Sequence, residues 1–170
     1  GGKLAFEVIR HQDIIDPDDK SKKCLDKASI KGEFLFKDVS FRYPSRQDQV
    51  VMNKLNVTIE AGKTTALVGP SGSGKSTVIQ LLERFYDPTE GDIFLDGVSI
   101  KDVNLASMRK AMGYVSQEPV LFNASIRENM RFSVPEATEQ EMITALENAN
   151  AWDFVYNLPD KLDTHVGGAG

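Results

Sequence analysis

The sequence has a single cysteine, no apolar stretch longer than a strand and no excess of positive charge, and each shortage removes a class of protein. A lone thiol, Cys24, can neither close an internal disulfide nor build a multi-cysteine zinc cluster. The apolar runs, such as Pro119-Val120-Leu121-Phe122, fall far short of the ~18 residues that a membrane-spanning helix needs. No cleavable targeting segment is expected, because Gly1-Gly2-Lys3 is not followed by a sustained apolar stretch. Lys and Arg number 20 against 25 Asp and Glu, a net charge of −5, and so weakly acidic a chain is not expected to partner nucleic acid. No internal repeat is visible. What remains is ordinary for a folded protein: 170 residues, 41% hydrophobic and 26% charged, enough for one domain with its own core.

Along the chain, Leu4, Ala5, Val8 and Ile9 have helical spacing over two turns. Residues 11–32 change character: Asp13, Asp16, Asp18 and Asp19 precede Lys20, Lys22, Lys23, Lys27 and Lys31, with Pro17 and Gly32 as breakers. This reads as a flexible mixed-charge linker with a domain boundary near Gly32. Phe34 and Phe36 then alternate, the phase slips at Asp38, and Val39 and Phe41 alternate again. Leu55, Val57 and Ile59 predict a second strand that ends at an Ala61-Gly62 turn. Thr64 to Val68 is nearly all apolar, the pattern of a strand buried on both faces. Lys75 to Tyr86 carries Val78, Leu81, Leu82 and Phe85 on one helical face. Ile93 and Leu95 predict a strand, and Asp96-Gly97 a hairpin turn. Asn104 to Ala111 reads as a short helix, Gly113 to Ser116 as a strand, and Thr138 with Glu141 as a capping box opening a helix to about Asn148. A last helix is expected over Ala151 to Leu158, closed by Pro159.

The chemistry lies between the third strand and the first long helix. Gly69-Pro70-Ser71-Gly72-Ser73-Gly74-Lys75-Ser76 fits G-x-x-x-x-G-K-[ST] in full, with Thr77 following. A polyphosphate has to be wrapped by backbone N–H groups at close range. Gly72 and Gly74 permit the positive φ angles and the close approach that a side chain would block. The helix beginning near Lys75 aims its N-terminal dipole at the phosphates. Lys75 is expected to reach the β- and γ-phosphates of ATP, and the Ser76 hydroxyl to ligate Mg²⁺. The competing explanation is a glycine-rich turn that matches by chance, but here the motif follows an apolar strand and opens a helix.

The loop alone does not separate kinases, GTPases, helicases and transporter ATPases. Its surroundings do: Phe41-Arg42-Tyr43-Pro44-Ser45-Arg46 upstream, Asp87-Pro88-Thr89-Glu90-Gly91 after the loop helix, then Tyr114 to Phe122 and Ser125-Ile126-Arg127-Glu128-Asn129. In this order and spacing they resemble the nucleotide-binding domain of ABC transporters, on the multidrug-exporter branch typified by P-glycoprotein. The resemblance runs from about Gly32 to Gly170, and Lys3 to Arg10 resembles the tail of that family's last membrane-domain helix. It implies an α/β fold of the ABC-type P-loop NTPase with an antiparallel β subdomain at its N-terminal side. The implied organisation is membrane-helix tail at 1–10, linker at 11–32 and the N-terminal part of the nucleotide-binding domain at 33–170.

The resemblance also implies roles. Tyr43 matches the aromatic that stacks on adenine, a contact worth ~1–3 kcal/mol by analogy with base–aromatic stacking; the alternative is a strand-end tyrosine packed on the core. Arg46 is placed at the same edge of the nucleotide, or on the plain surface. Gly69, Ser71, Gly72, Ser73, Gly74, Lys75, Ser76 and Thr77 hold the phosphates. Gln117 matches the glutamine that offers its amide oxygen to Mg²⁺ or to the attacking water. The segment from Gln117 to Phe122 would touch the cytoplasmic helices of a membrane domain, unless Pro119 to Phe122 are simply core. A second nucleotide-binding domain would complete an ATP sandwich. The parent is expected to be an ATPase at the cytosolic face of a membrane, coupling ATP hydrolysis to export.

The sequence also departs from the family. No L-S-G-G-Q signature, catalytic glutamate or switch histidine occurs in it, so the segment alone is expected to bind ATP and hydrolyse it slowly or not at all. His11 and His165 are expected to be ordinary surface residues. Gly168 and Ala169 stand where exporters of this branch carry glutamate and arginine, so the salt contacts usual there are not expected. Two other classes compete. A non-transport ABC ATPase acting on DNA or ribosomes would want basic surfaces or coiled coils. A GTPase would need N-K-x-D, which is absent, and a kinase would not explain Tyr43 or the residues around Gln117.

Overall fold

In the computed structural model, Ile15, residues 17–26 and residues 28–168 are described. They fall into two compact units, one reaching Gly113 and one starting at Tyr114. The helix tail expected over residues 3–10 lies outside the described residues.

The first unit is organised by an antiparallel sheet in the order β2-β1-β3-β4, comprising β1 (Phe34–Phe41), β2 (Met52–Ile59), β3 (Glu90–Leu95) and β4 (Val98–Ser99). Alternation along β1 places Phe36, Val39 and Phe41 in the core. The phase slip at Asp38 is a bulge: Asp38 has φ 50°, and the register with β2 shifts between Phe36 and Val39. This keeps all three apolar side chains on one face although their spacing is not strictly two. Helix α1 (Lys75–Leu82) buries Val78, Leu81 and Leu82 against that face, and α2 (Leu105–Lys110) adds Leu105 and Met108. Burying each large side chain contributes ~1.5–3 kcal/mol. Helix α1 stops earlier than its apolar pattern suggests. Arg84 turns to φ 53°, and its guanidinium donates to Asp87 at 2.8 Å and to the Ile100 carbonyl at 3.3 Å.

The charged segment expected to be a flexible linker is bound along much of its described length. Lys23 N donates to Asp102 O (3.0 Å) and Asn104 N to Lys23 O (2.8 Å). Asn104 Nδ2 donates to Asp19 O (3.0 Å) and Leu25 N to Ser107 Oγ (3.1 Å). Ile15 and Leu25 pack on the core, two apolar anchors that a reading by charge alone passes over.

Where that segment meets β1, Asp96 of the β3–β4 turn accepts the backbone N–H groups of Lys31 (2.8 Å), Gly32 (3.0 Å) and Glu33 (2.9 Å). Burial alone would raise the Asp96 carboxyl, but the N–H bonds from Glu33, Lys31 and Gly32 and the Lys31 ammonium outweigh it and hold the group below the usual carboxylate range. A depressed folded pKa stabilises the fold fully above the unfolded value of ~3.9 and ceases to do so as pH falls through the folded value. Asp96→Asn is therefore expected to lower the urea midpoint at pH 7, and its deficit relative to the native chain should shrink below pH ~4. A deficit that stays constant from pH 7 to pH 3 would mean that the carboxylate charge does not matter here.

Two expected strands are absent. Residues 64–68 and 113–116 have no regular structure and pair with no strand, and Val68 and Val115 are 92% and 86% exposed. A strand buried on both faces needs a neighbour on each side. Among the described residues, the only sheets are the four-stranded one and the β5-β6 pair, and neither takes these segments in.

The second unit joins β5 (Ala124–Ser125) to β6 (His165–Val166) around α3 (Ile126–Arg131), α4 (Glu139–Asn148) and α5 (Trp152–Tyr156). Both α3 and α4 open on capping boxes, Ser125 with Glu128 and Thr138 with Glu141. Arg127 ties α3 to Asp163 and Glu139. Ala137, Met142, Val155 and Leu162 are buried. His165 is exposed and within 2.9 Å of Asn123 Oδ1.

Candidate functional site

The loop from Gly69 to Gly74 has no regular structure of its own, and its shape comes from its glycines and one turn. Gly72 and Gly74 have φ of 81° and 88°, a region where a side chain is strained. Ser73 N donates to Pro70 O at 3.2 Å and closes the turn. Gly74 is the residue on which α1 begins, and no side chain caps that helix. Its first N–H groups are thus left to water or to an anion, at the positive end of the helix dipole.

Lys75 reaches back over the loop. Its Nζ donates to Gly69 O (2.5 Å) and Pro70 O (2.6 Å) and lies 3.3 Å from Ser73 Oγ. The ammonium is therefore held at the loop by the loop's own oxygens, within reach of whatever the N–H groups bind.

Tyr43 follows β1 and closes the other end. Phe41 and Tyr86 meet its ring nearly at right angles, with centroids 5.0 Å and 5.5 Å away. Its hydroxyl donates to Gln80 Oε1 at 2.7 Å and is 2.8 Å from Thr77 Oγ1. After Tyr43 the chain folds through two turns, Arg46 N donating to Tyr43 O (2.9 Å) and Gln49 N to Arg46 O (3.1 Å), and returns when Val51 N bonds Phe41 O (3.0 Å).

Between these walls lies a cleft of about 580 Å³, within the usual size of a small-ligand site. Tyr43, Arg46, Ser71, Gly72, Gly74, Lys75, Ser76 and Thr77 all line it. Gly69 and Ser73, also expected at the site, form the loop behind it and bind Lys75. The cleft's charged residues are both cations, Lys75 and Arg46, and no carboxylate lines it. Such a surface attracts an anion and would not repel phosphate. Three residues that sequence reasoning missed, Ser45, Gln49 and Val51, line it too, brought there by the turns after Tyr43. A fourth, Gln80, is reached through the Tyr43 hydroxyl; its spacing of three from Thr77 on α1 was the available signal.

Gln117 belongs to the second unit, where it is exposed on a bend whose Ser116 hydroxyl donates to Glu118 O at 2.8 Å. Downstream, Val120, Leu121 and Phe122 are exposed rather than core, and Phe122 packs on Phe132 with ring centroids 4.3 Å apart.

Known proteins resemble the chain along most of its length. The family model described as ABC transporter matches residues 52–168. The chain is 47% identical over 165 residues to ABC transporter B family member 2 of Dictyostelium discoideum, covering 97% of this chain and 12% of that protein. It is 50% identical over 166 residues to ABC transporter B family member 21 of Arabidopsis thaliana, covering 97% and 13%. With multidrug resistance protein 4 of Entamoeba histolytica the identity is 44% over 171 residues, covering 99% and 13%. The chain thus spans about an eighth of the length of these relatives. A solved structure of a bacterial Atm1-family ABC exporter with ATP bound superposes with a TM-score of 0.78 at 37% identity, covering 96% of this chain and 28% of that one. The chain belongs to the ABC transporter family, as part of a nucleotide-binding domain on its B-family, multidrug-resistance branch.

Proposed function

We propose that this chain binds ATP in the cleft between Tyr43 and Lys75 and serves as the ATP-consuming part of a membrane exporter. One observation carries the reading: a glycine loop, an uncapped helix N-terminus and Lys75 converge on a cleft without carboxylates, with an aromatic ring at its other end. In this reading the backbone N–H groups of residues 71–77 and Lys75 hold the β- and γ-phosphates, and Tyr43 stacks on the base with Arg46 beside it. Mg²⁺ fits the donors present. Among the described residues there is no cluster of three His, Cys, Asp or Glu that could cage a metal. The ion would take most of its oxygens from phosphate and water, as Mg²⁺ prefers, with the exposed Ser76 hydroxyl as a protein donor.

Hydrolysis needs a group that orients or deprotonates water. No carboxylate or histidine lines the cleft, so this segment alone holds nucleotide and turns it over slowly. The parent exporter, acting at the cytosolic face of its membrane, would hydrolyse ATP with a second nucleotide-binding domain closing over the loop. No helix among the described residues is long and apolar enough to cross a membrane. The exposed Val120, Leu121 and Phe122 suit a hydrophobic contact with the transmembrane domain.

Titration calorimetry with MgATP and with AMP tests the reading. ATP is expected to bind at least roughly tenfold more tightly, since AMP lacks the phosphates the loop grips and forfeits at least one charge-assisted contact of ~1.5–3 kcal/mol. Equal affinity for the two would put the nucleotide elsewhere.

A further inference from the structure

The Tyr43 hydroxyl has a double tether that stacking on a base does not call for. A ring that only stacked could be phenylalanine. Here the phenol donates to Gln80 Oε1 at 2.7 Å, and because its proton is used there, Thr77 Oγ1 at 2.8 Å is the donor to the phenol oxygen. Thr77 is 4% exposed, so its hydroxyl depends on that bond. Gln80 and Thr77 stand three apart on α1, on one side of the helix, while Val78, Leu81 and Leu82 face the core. Neither aromatic neighbour stacks flat on Tyr43, since Phe41 and Tyr86 lie at 79° and 89° to it, and beyond it the chain runs into the exposed 44–50 loop. The tether is therefore the polar contact that fixes the ring's direction.

We infer that Gln80, acting with Thr77 through the Tyr43 hydroxyl, is a positioning residue that sets the base platform at a fixed place relative to the phosphate loop. Helix α1 begins at Gly74, so the element that fixes the ring is the element that carries Lys75 and Ser76. A bond from Tyr43 to that helix makes the span between base and phosphate grip a property of the free protein, so less freedom is lost on binding. This rests on the ATP reading above and adds to it a residue that touches no nucleotide.

The test compares ATP with inorganic tripolyphosphate by titration calorimetry on the full-length protein, as native, Gln80→Leu, Gln80→Glu and Tyr43→Phe. Gln80→Leu and Tyr43→Phe each remove the phenol's acceptor or its proton. Each is expected to weaken ATP roughly two- to tenfold, the worth of a neutral hydrogen bond, and to leave tripolyphosphate unchanged. Gln80→Glu still offers an oxygen at that reach and should restore most of the ATP affinity. If Gln80→Leu binds both ligands like the native protein, or loses both in equal measure, the positioning role is overturned. If the native protein binds neither ligand, the ATP reading falls and this inference with it.

Discussion

Replacing Lys75 by alanine is expected to weaken ATP binding by roughly 10- to 150-fold, the loss of one charge-assisted contact worth ~1.5–3 kcal/mol. Lys75 is one of two cations that line the cleft, and the one whose ammonium sits over the loop, bonded to Gly69 O and Pro70 O. Arg46 is joined to the Tyr43 end by its backbone N–H, which donates to Tyr43 O. Lys75 belongs to no part of the buried core, so the alanine variant should keep its thermal midpoint within about 2 °C while its affinity collapses, given surface effects of ~0.5 kcal/mol or less. Calorimetry against MgATP with a melting curve on the same sample reads both quantities. Unchanged ATP affinity in the alanine variant would mean that the loop does not grip the phosphates.

The site was legible in the sequence to the extent that its parts are local. Positive φ at Gly72 and Gly74, the helix starting at Lys75 and the capping box of Thr138 with Glu141 each need only residues within a few positions. The phase slip at Asp38 was visible in the apolar alternation, and in the fold it is a bulge. Residues 64–68 and 113–116 show the limit. Their composition states a preference for burial on both faces, but a strand exists only when something pairs with it, and pairing is not written in five residues. The linker failed for the reverse reason. Its charges suggested a solvated chain, yet hydrogen bonds donated by Asn104 to Asp19 O and Lys23 O and by Leu25 N to Ser107, each spanning more than 80 positions, hold it down. Tyr43 stood out through its ring and its family resemblance, whereas the partner of its hydroxyl, Gln80, is visible only in the folded chain.

Gly91→Ala is expected to destabilise the first unit by ~2–6 kcal/mol, a large share of the ~5–15 kcal/mol of a typical domain. Two costs coincide at this position in β3. Its φ is +77°, which an alanine adopts only under strain of ~1–3 kcal/mol. A Cβ built there would also collide with the Asp38 carbonyl and come within 2.5 Å of Lys37 O, both of them backbone atoms of β1. Overpacking of this kind costs another ~1–3 kcal/mol, and here there is no flexible side chain to yield. Asp38 is already bulged at φ 50°, and the β1–β3 register shifts between Lys37 and Ser40 at this crossing. The bulge in one strand and the glycine in the other are therefore a single device, and β1 can move away only by giving up its ladder to β3. Urea unfolding of the native and Gly91→Ala chains measures the loss. A shift worth less than ~1 kcal/mol would show that the bulge absorbs a methyl group, and that the close approach of the two strands does not fix the path of β1 toward Tyr43.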